Sequence, residues 1–314
     1  MNMVDLSVEL GPVLLANPIV AASGTFGHGD ELAAVCDPSR LGAVTAKSVA
    51  PYSWAGNPPL RVTTAGTGAG GMLNSIGLPG PGVDAWVARD LPALEASGAR
   101  VIASIWGRSV DEYSHAARTL KPVADRLVAV EVNLSCPNVE GRNDMFAHSC
   151  AATADAIAGV VDALGGSAPA FAKLSPNVTD IVSIAGSALD AGATGLTLVN
   201  TVMGLAIDAD TRRPVLGSNG GGGGLSGPPI KPVALRAVRD VARAYPGTPI
   251  IGTGGVTRGV DAVEMLLAGA TAVGVGTATF AEPRAMLRII DELRAWCAAQ
   301  SVHRVRDLIA ALED

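Results

Sequence analysis

The 314-residue sequence predicts an α/β fold: a (β/α)8 barrel of the TIM type, with a short N-terminal β-hairpin and extended βα loops over the active site. Three observations predict it. Eight short apolar runs recur along the chain, amphipathic segments of helix length separate most of them, and nearly every run ends in polar or glycine residues. Composition agrees. Hydrophobic residues make up 48% of the chain but aromatics only 4%, so the core must be built from Ala, Val, Leu and Ile, the material of parallel strands buried on both faces.

In chain order, segment 5–18 (DLSVELGPVLLANP) reads as a hairpin before the first barrel strand, placed to plug the barrel bottom. The strands follow at 18–24 (PIVAASG), 43–48 (AVTAKS), 101–106 (VIASIW) and 129–135 (AVEVNLS). Four more lie at 170–175 (AFAKLS), 195–201 (GLTLVNT), 250–255 (IIGTGG) and 272–277 (AVGVGT). Helical patterns fall at 178–191, 231–245, 259–267 and 283–299. No linker interrupts the series, so residues 1–314 read as a single barrel domain. A doubly wound sheet would have fewer strands and one Gly-rich turn near its start. The apolar strand bodies fill the barrel, and their polar ends face the mouth, where barrels place their chemistry.

Two connections exceed the barrel minimum: 50–84, rich in Gly and Pro, and 202–231, which contains five consecutive glycines at 220–224. Long βα connections over the mouth serve as lids or substrate walls. The glycines at 220–223 themselves read as a flexible surface loop.

Charge and targeting features narrow the function. With 29 acidic and 23 basic residues the net charge is −6, which excludes the clustered-cation footprint of a nucleic-acid binder. No apolar run reaches the roughly 18 residues of a membrane span, and the start Met1-Asn2-Met3-Val4-Asp5 lacks the pattern of a signal peptide. Cys36, Cys136, Cys150 and Cys297 form no CxxC pair, so neither a disulfide nor a metal or iron–sulfur site is expected within this chain. These features describe a reduced, cytosolic protein.

The most informative segment is Asn133-Leu134-Ser135-Cys136-Pro137-Asn138. It follows a buried strand, and Pro137 cannot continue one because it lacks the ladder N–H. A thiol, a hydroxyl and two carboxamides therefore converge at one strand end. The Cys136 thiol could act as nucleophile or as general base. Cys36, Cys150 and Cys297 read as buried small apolar residues.

The last two strands end in Gly252-Thr253-Gly254-Gly255 and Gly274-Val275-Gly276-Thr277. In phosphate-binding barrels these two loops form an anion site from backbone N–H groups, for a phosphorylated substrate or a nucleotide such as FMN. Lys47 and Lys173 close strands two and five. Burying an ammonium is costly without a partner, so each suits either a Schiff base or the support of an electron-rich cofactor or anionic substrate. Asn74, Asn133 and Asn200 all fall at the mouth, and their carboxamides match the alternating donors and acceptors of a pyrimidine ring.

Taken together, the motifs ASGTFG (22–27), TAKS (45–48), GNPPLR (56–61), NSIGLPG (74–80), NLSCPN (133–138), KLSPN (173–177), LVNT (198–201), GLSGPPIKP (224–232), GTGG and VGT run through the whole chain in order. The sequence thereby resembles the class 1 dihydroorotate dehydrogenases. Its ASGTFG, KLSPNVTDI and GLSGPPIKP segments resemble the type B, NAD-linked catalytic subunit more than the fumarate-dependent type A. Dihydropyrimidine dehydrogenases share the barrel and a Cys loop but depart after SCP. A Schiff-base lyase using Lys173 is the non-redox alternative.

The resemblance implies one FMN per subunit at the mouth, its phosphate on Gly254, Gly255, Gly276 and Thr277. Ser23, Lys47, Ser48, Asn133, Lys173, Val199 and Gly227 would surround the rest of it, with Ser104 at a strand-three position that is often Asn in type B relatives. Dihydroorotate would be held by Lys47, Asn74, Ser75, Ile76, Gly77, Leu78, Asn133, Asn200 and Thr201. Cys136 would be the general base and Lys173 the support for negative charge on the reduced flavin, while Asn138 would brace the loop. The chain has neither an iron–sulfur Cys cluster nor a G-x-G-x-x-G βαβ unit. FAD and a 2Fe–2S cluster would therefore lie on a partner subunit, in a heterotetramer built around a barrel homodimer, with NAD+ as the final acceptor in pyrimidine (UMP) biosynthesis.

Overall fold

The structure is a computed structural model that describes residues 4–64, 66, 68, 70–134, 145–217, 220 and 222–313. The hairpin forms as β1 (Val8–Leu10) and β2 (Val13–Leu15). Val8, Leu10 and Leu15 join the core. Gly11 at its turn packs near Thr194 and Pro249, which lie at the N-terminal ends of two barrel strands, so the hairpin closes the barrel bottom.

Eight parallel strands close the barrel: β3 (Ile19–Ala21), β4 (Ala43–Thr45), β7 (Val101–Ile105), β8 (Leu127–Asn133), β9 (Ala170–Lys173), β10 (Gly195–Leu198), β15 (Ile250–Thr253) and β16 (Ala272–Val275). Chain order and neighbour order coincide, with β16 pairing back on β3. All eight sequence runs become strands, most of them shorter than expected. Their polar tails leave the ladder and turn into the mouth. The residues of β8 are buried throughout, as a two-faced buried strand requires.

The helices form an outer layer. α1 (Val83–Ala85) continues through a wider turn at Trp86–Asp90 into α2 (Leu91–Ala96), and α3 (Val110–Leu120) and α4 (Cys150–Leu164) follow. α5 (Ile181–Asp190) is capped by Asp180, which accepts from the Ser183 N–H. α6 (Lys231–Ala244), α7 (Gly259–Ala268), α8 (Ala278–Ala281) and α9 (Ala285–Ala299) complete the series. Among the described residues, no helix is long and apolar enough to cross a membrane. Cys36 and Cys297 are buried in the core, where burial pushes both thiols up; Cys150 departs from the buried reading and is exposed at the start of α4, on its solvent side.

The two long connections fold together. β5 (Val62–Thr63) and β6 (Met72–Asn74) come from the first, and β11 (Val202–Leu205) and β14 (Gly222–Ser226) from the second. They make an antiparallel sheet in the order β11-β14-β6-β5 beside the mouth. A smaller hairpin, β12 (Ile207–Asp208) with β13 (Arg213–Pro214), extends from it.

This corrects the reading of 220–223 as a flexible loop, because Gly222 and Gly223 are strand residues, continuing through Gly224. A Cβ on Gly223 would stand 2.6 Å from the Asn74 carbonyl oxygen, and one on Gly224 would collide with the Thr201 side chain. Glycine is required there by close approach of neighbouring strands.

Candidate active site

The barrel mouth opens into a cavity of about 600 Å3, within the range of roughly 300–1,000 Å3 typical of small-molecule sites. The tails of β3, β4, β8, β9, β10, β15 and β16 all contribute to its lining. The antiparallel sheet supplies a side wall through Val62, Met72, Asn74 and Ser226.

Of the residues expected at the flavin, Ser23, Lys47, Ser48, Asn133, Lys173, Val199, Gly227, Gly254, Gly255, Gly276 and Thr277 line this cavity. Of those expected at the substrate, Asn74, Ile76, Gly77, Leu78, Asn200 and Thr201 do so as well. Two do not line it. Ser75 is fully buried behind the wall; its N–H donates to the Arg61 carbonyl at 2.9 Å and its own carbonyl accepts from Asn57. Ser104 lies one layer deeper, inside the barrel. Ser135, Cys136, Pro137 and Asn138 lie outside the described residues.

Beneath the cavity runs a buried polar network that spans six barrel strands or their tails. Ser23 Oγ meets Ser48 Oγ at 3.2 Å, and Ser48 Oγ meets Ser104 Oγ at 2.8 Å. Asn133 Nδ2 donates to Ser48 Oγ at 3.1 Å. The Ser104 hydroxyl donates to Glu131 Oε1 at 3.0 Å, and the Thr197 hydroxyl to Glu131 Oε2 at 3.1 Å. Lys173 Nζ lies 3.7 Å from Glu131 Oε1, with side-chain exposures of 7% and 2%. Both carboxylate oxygens are thus satisfied, as a buried charge demands. Glu131 and Thr197 were missed by sequence reasoning. The available signal was an acid alternating with valines in Val130-Glu131-Val132, two residues before Asn133 and so on the same strand face.

Other side chains fix the lining from outside. The Tyr113 hydroxyl donates to the Asn133 carbonyl at 2.7 Å. Asn177 Nδ2 donates to the Thr201 carbonyl at 2.9 Å, and Asn177 Oδ1 accepts from the Met203 N–H at 2.8 Å. His28 lies half-buried close by; burial first, and then the Lys47 charge, push its pKa down.

At the strand-seven and strand-eight loops, Gly254 and Gly255 have φ of 139° and 76°. A Cβ on Gly255 would stand 2.6 Å from the Lys231 Cβ, so this glycine lets the loop sit on the start of α6. Lys231 Nζ is held by Asp261 at 2.8 Å and Glu264 at 2.7 Å. Thr277 donates to Ser226 Oγ at 2.8 Å, tying the last barrel loop to the side wall. The buried Thr253 hydroxyl, also in the lining, has no protein partner among the described residues.

Fold and site together define a (β/α)8 enzyme of the kind that gathers a pair of glycine loops, lysines and carboxamides at the C-terminal face of the barrel. Comparison with known proteins sharpens this. The family model for dihydroorotate dehydrogenase matches residues 5–296. "Dihydroorotate dehydrogenase B (NAD(+)), catalytic subunit" of Geobacter sulfurreducens is 43% identical over 313 residues, covering 100% of both chains. The protein of the same name from Alkaliphilus metalliredigens is 41% identical over 312 residues, covering 99% of this chain and 100% of its own. The chain belongs to the dihydroorotate dehydrogenase family, a family of oxidoreductases.

Proposed function

We propose that this chain is the catalytic subunit of an NAD-linked dihydroorotate dehydrogenase, oxidising (S)-dihydroorotate to orotate in de novo pyrimidine biosynthesis. The observation that supports it most is a single cavity that joins Lys47 and the Asn74, Asn133 and Asn200 carboxamides to the two glycine loops. Relatives that match over their full length carry that name.

The residues present fit FMN as the cofactor. Gly276 offers a cradle where an added Cβ would make only ordinary contacts, with Ala22 at 3.6 Å and Thr25 at 3.7 Å. Thr253, whose buried hydroxyl has no protein partner among the described residues, lines the same cavity. Gly254, Gly255, Gly276 and Thr277 would hold the phosphate, and Ser23, Ser48, Asn133, Lys173, Val199 and Gly227 the remainder. When bound, FMN supplies the acceptor for the hydride that leaves dihydroorotate.

The chain's own residues do the rest. Lys47 and the three carboxamides orient the anionic ring, and the Ile76–Leu78 wall excludes water from it. Lys173 places a cation under the cavity, fixed by Glu131. Cys136, three residues past the end of β8, accepts the proton from the ring CH2. Electrons leave through a partner subunit carrying FAD and a 2Fe–2S cluster, in a heterotetramer around a dimer of this chain.

The test is anaerobic addition of dihydroorotate to the purified chain. Flavin absorbance should bleach, borohydride should trap no substrate adduct on Lys173, and NAD+ reduction should require a co-purifying flavin/iron–sulfur subunit. A colourless protein trapped by borohydride would instead establish the lyase chemistry.

A further inference from the structure

The substrate wall contains a residue in an unfavourable conformation. Leu78 has φ of 55°, directly after Gly77 at 74°. A residue with a Cβ persists in this left-handed region only where its surroundings over-determine it. Here a segment from the same long connection does so. The Trp54 N–H and carbonyl exchange hydrogen bonds with Gly80, both at 2.9 Å, and the Trp54 indole N–H donates to the Gly77 carbonyl at 2.9 Å. Asn57 donates its N–H to the Ile76 carbonyl at 3.0 Å and its side-chain amide to the Ser75 carbonyl at 2.9 Å.

The indole is itself held from a different part of the barrel. The Arg108 guanidinium carbon stands 4.2 Å from the Trp54 ring centroid, with the Tyr52 and Trp106 rings at 5.8 and 6.0 Å. Contact of a guanidinium with an indole face suits Arg, and exchange for Lys at such a site is not conservative. Arg108 is anchored in turn, because Glu112 Oε2 accepts its backbone N–H at 2.7 Å and the Tyr52 hydroxyl at 3.1 Å. Arg108 belongs to the loop after β7. Among the described residues, β7 is the barrel strand that adds nothing to the cavity lining.

We propose that Arg108 and Trp54 are positioning residues for dihydroorotate: stacking of Arg108 fixes the indole, and the indole N–H holds the Gly77 carbonyl so that Ile76, Gly77 and Leu78 form a preorganised substrate wall. The strand-three loop, which lines none of the cavity, thereby acts on the site through the stack. This rests on the reading of the cavity as a dihydroorotate site.

The experiment compares wild type, Trp54→Phe, Arg108→Met, Arg108→Lys and the Trp54→Phe/Arg108→Met double variant, each purified with its flavin. Calorimetry gives the orotate Kd, steady-state kinetics with an artificial electron acceptor give kcat and KM, and hydrogen exchange follows the Gly80 amide. Trp54→Phe and Arg108→Met should each raise the orotate Kd and the dihydroorotate KM about three- to tenfold, the scale of one net hydrogen bond. The kcat should stay within about twofold, flavin content should be unchanged, and Gly80 exchange should quicken. Arg108→Lys should not rescue, and the double variant should be no worse than the poorer single one, because Arg108 acts through the indole.

An unchanged Kd in Arg108→Met, multiplying effects in the double variant, or parallel loss of flavin and kcat would each overturn the proposal. Failure of the wild type to bind orotate or consume dihydroorotate would overturn the functional reading beneath it instead.

Discussion

Lys173 and Glu131 face each other across adjacent barrel strands, 3.7 Å apart and almost completely buried. That separation is an ion pair longer than a hydrogen bond, and the carboxylate is fastened independently by Ser104 and Thr197. The arrangement leaves the ammonium available to a ligand above it while its charge is balanced from below.

Removing one partner should therefore cost more than removing the pair. Lys173→Met strands a buried carboxylate and should lower unfolding free energy by about 3–5 kcal/mol. Lys173→Met/Glu131→Gln should recover part of that loss, since the charge is gone and the amide still meets Ser104 and Thr197. Urea denaturation checks this, and equal or greater instability of the double variant would show that the two residues are not coupled.

The glycine run should divide into two functional halves. Gly224→Ala drives a methyl into Thr201, which should shift the side wall, weaken orotate binding at least tenfold and cost about 1–3 kcal/mol of stability. Gly220, with φ of 65° and open space around it, should cost about 1–2 kcal/mol on substitution by Ala, from backbone conformation alone. Calorimetric orotate binding should be unaffected by that second change.

Asp261 should give the loop–helix junction an acid-sensitive step. Burial pushes its carboxyl up, but the Lys231 ammonium, the Thr257 N–H and hydroxyl and the Arg258 N–H outweigh burial and hold it below its ordinary 3.8. A lowered folded-state pKa means that the unfolded chain binds the proton more readily. The stabilisation is then complete above about pH 5 and is lost as pH falls through the folded value. Asp261→Asn should cost roughly 3 kcal/mol near neutrality, with the deficit shrinking below pH 3.8. Thermal melts across that range check the sign.

Much of this was legible in the sequence, and the exceptions have physical causes. The strands were readable because two-faced burial forces continuous apolar runs, and cavity-lining residues such as Ser23, Lys47, Asn133 and Lys173 were readable because each sits where such a run turns polar. Glu131 was passed over because one acid inside a valine run leaves strand character intact; its partners come from β7, β9 and β10, and only barrel closure unites them. Gly222 and Gly223 of β14 were misread because glycine is depleted in strands. The pairing of β14 is imposed by β6 and β11, which are distant in sequence. The Trp54–Arg108 stack joins two loops more than fifty residues apart and leaves no periodic trace.

Cys136 lies outside the described residues, so its role stands on its sequence position and on solution chemistry. A free thiol titrates near 8.5, and a thiol base should make flavin reduction fall roughly tenfold per pH unit on the acidic side. The most direct measurement is the anaerobic single-turnover rate of flavin reduction by dihydroorotate in wild type and Cys136→Ala. Retained FMN with a rate lower by about 10² or more and that acid limb abolished is the predicted result. A near wild-type rate in Cys136→Ala would contradict the assignment of the proton to this thiol.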